Sequence, residues 1–153
     1  MLIYYAHNIN IYNTEVEQEQ MAAISMAFPD DEILNPNGDF EVIKFTDCFL
    51  HIDRCGRLVF SSVLNEFLGR GVYAEIIYAK SKGLDIWWLY TDENKDYELL
   101  PLDELILRPN NVNDWKYRYA RIILRTEGAP SLESVFGYKF DIPTRVVDMI
   151  QAR

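Results

Sequence analysis

The chain has 153 residues, the length of one ordinary domain, and is long enough to bury a sizeable core. Hydrophobic residues make up 49% and charged residues 25%, which excludes a disordered polyelectrolyte. The net charge of −9 disfavours broad nucleic-acid binding, and no apolar run approaches the ~20 residues of a membrane span.

Leu2–Ala6 is a short apolar run rich in Ile and Tyr, suited to a buried strand. It lacks the basic region and long apolar stretch of a signal peptide, so the expected compartment is the cytoplasm. His7 to Asn13 is polar and loop-like. Thr14-Glu15-Val16-Glu17 is a capping box that opens a helix running to about Ala27, where Phe28-Pro29-Asp30 ends it. Glu32 to Asn35 reads as a second strand, stopped by Pro36-Asn37-Gly38. From Asp39 the apolar positions Phe40, Ile43, Cys48, Ile52 and Cys55 recur broadly at helical spacing, with Gly56 as a C-terminal stop. Arg57–Ser61 is the third strand, Ser62 to Arg70 a loop, and Gly71 to Lys82 a helix closed by Gly83. Asp85–Tyr90 is the fourth strand.

After Tyr90 the periodicity changes. Glu98 to Leu107 and Trp115 to Arg125 look like strands or short mixed elements, and Thr126 to Ser131 is a loop. Thr144 to Ala152 is a last helix. Trp115 to Arg121 interleaves aromatic and basic residues; a half-buried strand accounts for this better than single-stranded nucleic acid. The aromatic edge from Trp115 to Tyr119 also suits contacts in a homo-oligomer.

Strand–helix alternation at this spacing predicts right-handed βαβ units and a small parallel sheet with helices on both faces. The expected fold is α/β, a flavodoxin-like or Rossmann-like three-layer architecture in one domain, 1–153. Residues 1–90 form its core and 91–153 an extension packed on that core or at a subunit interface. Ligands of open parallel sheets bind in the crevice beyond the strand C-termini. That rule selects the loop after the first strand, Asn35 to Asn37, Ser61 to Arg70, and the Gly71 helix start.

The residues at that helix start carry the chemistry. Gly69 and Gly71 let backbone approach a ligand, and the first N–H groups of a helix suit an anion. Glu75 follows about one turn inside, either as a working carboxylate or as a partner of the helix dipole. Cys48 and Cys55, seven apart on a helix, are separated by roughly 10 Å, too far for a disulfide, and read as small apolar filler. With only His7 and His51 as histidines, no zinc spacing is present, and neither a metal nor a cofactor is expected. No Gly-x-Ser-x-Gly elbow occurs, which disfavours a Ser-His-Asp hydrolase.

The Leu2–Ala6 strand, Asn35-Pro36-Asn37, Asp53-Arg54-Cys55 before Leu58-Val59-Phe60-Ser61, and Gly71-Val72-x-x-Glu75-Ile76-x-x-Ala79 together resemble the nucleoside 2-deoxyribosyltransferase-like superfamily. The Gly-Val-x-x-Glu portion is most similar to its 2′-deoxynucleoside 5′-phosphate N-hydrolase branch. The similarity spans roughly residues 2 to 90. It implies cleavage or transfer at the N-glycosidic bond of a nucleoside or nucleotide, with Glu75 as a nucleophile on the anomeric carbon. It implies that His7 and Asn8 hold base or sugar, that Tyr12 or Tyr73 stacks on the base or hydrogen-bonds the nucleophile, and that Ser61, Ser62 and Asn65 line sugar or phosphate. Where the family's transferases carry an acidic residue just before the glycine, this chain has Arg70, a charged donor suited to a 5′-phosphate. Gly69 stands near the place of the hydrolases' phosphate-handling serine. The alternative is a non-catalytic nucleotide-binding or interaction protein that keeps the fold.

Overall fold

The computed structural model describes residues 1–44, 46–61, 67–68, 70–91, 94–101 and 123–124, with backbone alone at 67, 68, 70, 73, 123 and 124. The expected helix at 144–152, the Trp115 to Arg121 strip, and the site candidates Ser62, Asn65 and Gly69 lie outside the described residues.

Five strands form the main sheet: β1 (Leu2–Ala6), β2 (Glu32–Leu34), β3 (Arg57–Ser61), β5 (Asp85–Thr91) and β6 (Tyr97–Pro101), in the order β2-β1-β3-β5-β6. The first four are mutually parallel, with Tyr4 opposite both Leu34 and Leu58, and Leu58 opposite Ile86. β6 turns back antiparallel on β5, placing Leu100 opposite Trp88. Between β3 and β5 lie β4 (Phe67–Leu68), which pairs in parallel with β7 (Ile123–Leu124), and α3 (Arg70–Ser81).

Strand alternation sends successive side chains to opposite faces. On one face Ile3, Tyr5, Val59 and Leu89 pack with Ile24 and Met21 of α1 (Glu15–Ala27). On the other, Tyr4, Ala6, Leu58, Phe60, Ile86 and Trp88 pack with α2 (Asp47–Ile52) and with Val72, Ile76 and Ala79 of α3. The molecule is therefore an α/β protein with helices on both faces of a mostly parallel sheet. Trp88, Tyr4, Tyr5, Tyr90 and Phe60 are among its largest fully buried side chains, so aromatic bulk fills both layers. Among the described residues no helix is long and apolar enough to cross a membrane.

Two local expectations are corrected. The helix from Asp39 to Cys55 shrinks to the six residues Asp47–Ile52. Ile43 is 78% exposed and anchors no apolar face. The Asp47 carboxylate instead accepts the N–H groups of Ile43 and Lys44 at 2.9 Å each, fixing that stretch as a turn ahead of α2. Cys55 consequently sits beyond the helix, and both thiols are free and buried. At the start of α1, Thr14 caps as expected, its hydroxyl accepting the Glu17 N–H. The return arm of the capping box, however, goes to the Asn13 N–H at 3.2 Å, while the Thr14 N–H bonds Ile11 O. Asn13 makes this possible by adopting a left-handed φ of 62°, which Asn tolerates better than most residues.

Candidate functional site

A cleft of about 510 Å³ opens beyond the C-terminal ends of β1 and β2. His7 and Asn8 enter it directly from β1, followed by Ile9, Asn10 and Tyr12 on and just after a short 3₁₀ turn (Ile9–Ile11). Pro36 comes from the loop after β2, Val42 and Cys48 from the turn and helix α2, and Gly71, Val72 and Glu75 from α3. The sheet topology brings these segments together: each follows, or packs beside, the end of a parallel strand.

Glu75 is the sixth residue of α3, which begins at Arg70 rather than Gly71. The helix dipole weakens beyond the first turn, and Glu75 is only 6% exposed. Its Oε2 is buried with no hydrogen-bond partner among the described residues, and the same holds for the Tyr4 hydroxyl. Burial pushes the Glu75 carboxyl up to about 8, opposed among the described residues by the nearby Tyr4 hydroxyl. Desolvation outweighs a helix dipole felt only weakly this far along the helix. The carboxyl is mostly protonated near neutrality.

The neighbours of Glu75 are acids themselves. The Cys48 thiol is pushed up to about 11, first by burial and then by Glu75. The Tyr12 and Tyr4 phenols are also raised, by burial and then by Glu75.

His7 occupies a different environment. Its ring stacks on Tyr5 at 3.7 Å between centroids and lies 4.7 Å from the Tyr12 ring. Nδ1 faces the Tyr5 carbonyl at 3.0 Å and Nε2 faces Glu17 Oε2 at 2.7 Å. Glu17, 2% exposed, also receives Asn37 Nδ2 at 2.9 and 3.1 Å and the Asn13 N–H. Burial would raise Glu17, but its hydrogen bonds from His7, Asn13 and Asn37 hold its carboxyl below the usual range. Both His7 nitrogens therefore stand against acceptors, although burial favours the neutral imidazole.

Of the candidates read from the sequence, the cleft gathers His7, Asn8, Tyr12, Gly71 and Glu75. Asn35 is instead a loop former: its Oδ1 accepts the Asn37 N–H at 2.8 Å and its own N–H bonds Asp39 at 2.7 Å. Asn37 is turned to Glu17 and Asn13. Ser61 is buried at the end of β3 near the Tyr5 phenol, and does not line the cleft. For Arg70 and Tyr73 the backbone alone is placed, in α3.

Sequence reasoning missed Tyr4 and the cleft-facing role of Cys48. The signal for Tyr4 was period-two alternation, which puts it on the sheet face opposite Tyr5; which helix covers that face depends on the crossovers. Among the described residues no group of three or more His, Cys, Asp or Glu side chains is arranged to hold a metal ion. Comparison with protein-family models, with curated proteins and with solved structures gives no match for this chain.

Proposed function

We propose that the cleft binds a nucleoside or nucleotide and breaks or transfers its N-glycosidic bond, with Glu75 as nucleophile. The observation that carries this reading is the buried Glu75 carboxyl with a free oxygen in the crevice beyond the strand ends. A flavodoxin-like or Rossmann-like arrangement of the core, in a cytoplasmic homo-oligomer, fits the same reading.

The chemistry requires the carboxylate. As the bond from C1′ to the base nitrogen breaks, positive charge develops on the sugar, and Glu75 oxygen bonds to C1′. The departing base takes a proton from solvent. Water, or a second base in transfer, then displaces the glycosyl ester and regenerates the carboxylate. Because Glu75 titrates at about 8, its reactive form grows as pH rises through that value. Developing cationic charge next to the carboxyl also favours its ionisation. Asn8 and Asn10 offer amides for base or sugar edges, and Tyr12 offers an aromatic face.

The test is incubation of the pure protein with deoxynucleosides and deoxynucleoside monophosphates, following free base by chromatography. Base should be released, and Glu75→Gln should abolish release while retaining ligand binding. A second reading, a nucleotide-binding protein without turnover, is favoured by the protonated state of Glu75 near neutrality. Binding without release from any substrate, across the pH range, would select it.

A further inference from the structure

Among the described residues, Glu75 stands beside acidic groups and no lysine or arginine. From β1 comes Tyr4, from the loop after the 3₁₀ turn Tyr12, and from α2 Cys48, each electrostatically coupled to Glu75. Farther out, Glu17 acts on Tyr12 and Asp47 on Cys48, both adding negative field. His7, the one basic side chain lining the cleft among the described residues, has both nitrogens committed to Tyr5 O and Glu17. Among the described residues the cleft thus has largely apolar walls, no lysine or arginine, and a buried carboxyl oxygen, Glu75 Oε2, that makes no hydrogen bond. Such walls concentrate a field that attracts the opposite charge. A buried unpaired carboxyl also represents a cost that a complementary ligand would remove.

We propose that the ligand seated against Glu75 is a compact organic cation, its positive charge facing Glu75 Oε2 and the π-face of Tyr12, which also lines the cleft, completing the contact. This rests on the reading of Glu75 as the working group of the cleft and specifies the charge of what it accepts. In the reaction proposed above, that charge belongs to the developing sugar cation, so a stable cation of similar size mimics the most strongly held state. Binding is proton-linked: the carboxylic acid loses its proton to solvent as the cation arrives, leaving an ion pair.

Choline and 3,3-dimethyl-1-butanol make a suitable pair of probes, because they share a shape and differ in one permanent charge. Neither titrates, so any proton released belongs to the protein. By calorimetry in buffers of different ionisation enthalpy, choline should release close to one proton near pH 7 and none near pH 9.5. Its affinity should rise about tenfold between those values, as expected for a group titrating at about 8. Above that pH it should bind at least about tenfold more tightly than the neutral alcohol. Glu75→Gln should remove both the proton release and the preference.

Equal binding of the two probes, cation binding without proton release, or no choline binding would each overturn the proposal. The comparison on the unmodified protein suffices even if the variant does not fold. Base release without cation preference would leave the enzymatic reading standing and sink this one. Cation preference without base release would do the reverse.

Discussion

Glu17 and Glu75 are buried carboxyls on helices that flank opposite faces of the same sheet, yet their surroundings differ completely. Glu17 is supplied with donors by His7, the Asn13 backbone and Asn37, and is held below the usual carboxylate range. Glu75 has a bare oxygen and is pushed up to about 8. Burial acts on both; the local supply of hydrogen bonds decides the outcome. A carboxylate whose needs are met by its own chain ties a helix to a loop. One whose needs are unmet is poised for something from outside.

The contrast can be broken most severely at Glu17. Glu17→Ala strands a buried imidazole and the Asn37 amide, and should cost about 1–3 kcal/mol of stability for each group left unsatisfied, read from denaturant midpoints. If the cost were under about 1 kcal/mol, the pair would not be the tie described.

Glu75→Gln should act in the opposite direction, by an amount that grows as pH rises from about 4.5 to about 8. The folded-state pKa of Glu75 is raised above its ordinary 4.5 to about 8. Below about 4.5 both folded and unfolded chains hold the proton, so ionisation costs nothing. As pH rises through about 8 that relative stability is lost. The Gln variant should therefore match the parent below about pH 4.5, exceed it increasingly through neutrality, and level off above about pH 8 at on the order of a few kcal/mol at most. Melting curves across that range that stay parallel would contradict the assignment. For Glu17 the sign reverses: its lowered pKa gives stability that is present above about pH 4.5 and lost as pH falls through the folded value.

The smallest effect is expected at Tyr4. Tyr4→Phe removes a buried hydroxyl with no partner among the described residues, so stability should change by less than about 1 kcal/mol. The same hydroxyl lowers the Glu75 pKa. Its loss should move the midpoint of any Glu75-dependent pH profile upward, and an unmoved midpoint would separate the two groups.

The sheet was legible because β1, β3 and β5 are short apolar runs separated by polar loops and helical periods, a pattern with few topological solutions. The site was legible at Gly71 and Glu75, since the crevice rule depends only on strand order. The stretch before α2 was misread because Phe40 and Ile43 imitate helical spacing, while the deciding bonds run from the Asp47 carboxylate to backbone, which periodicity does not register. The His7–Glu17 pair was hidden for a related reason. Each residue had a sufficient local explanation, as a ligand contact and as a capping arm, and only the packing of α1 beside β1 makes them partners. Burial of Glu75 could not be weighed from sequence, because desolvation depends on every wall at once.

The position of β1 has a consequence for how the molecule is made. It lies between β2 and β3, with Ile3 paired to both Ile33 and Arg57. On the ribosome β1 emerges before either neighbour, and at about 5–20 residues per second it waits seconds for the chain to extend through β3. During that interval its apolar side chains and both backbone edges are uncovered, a target for chaperones or for the same strand of another nascent copy. The segment that later places Tyr4 beside Glu75 is thus also the one most exposed to misassembly during synthesis.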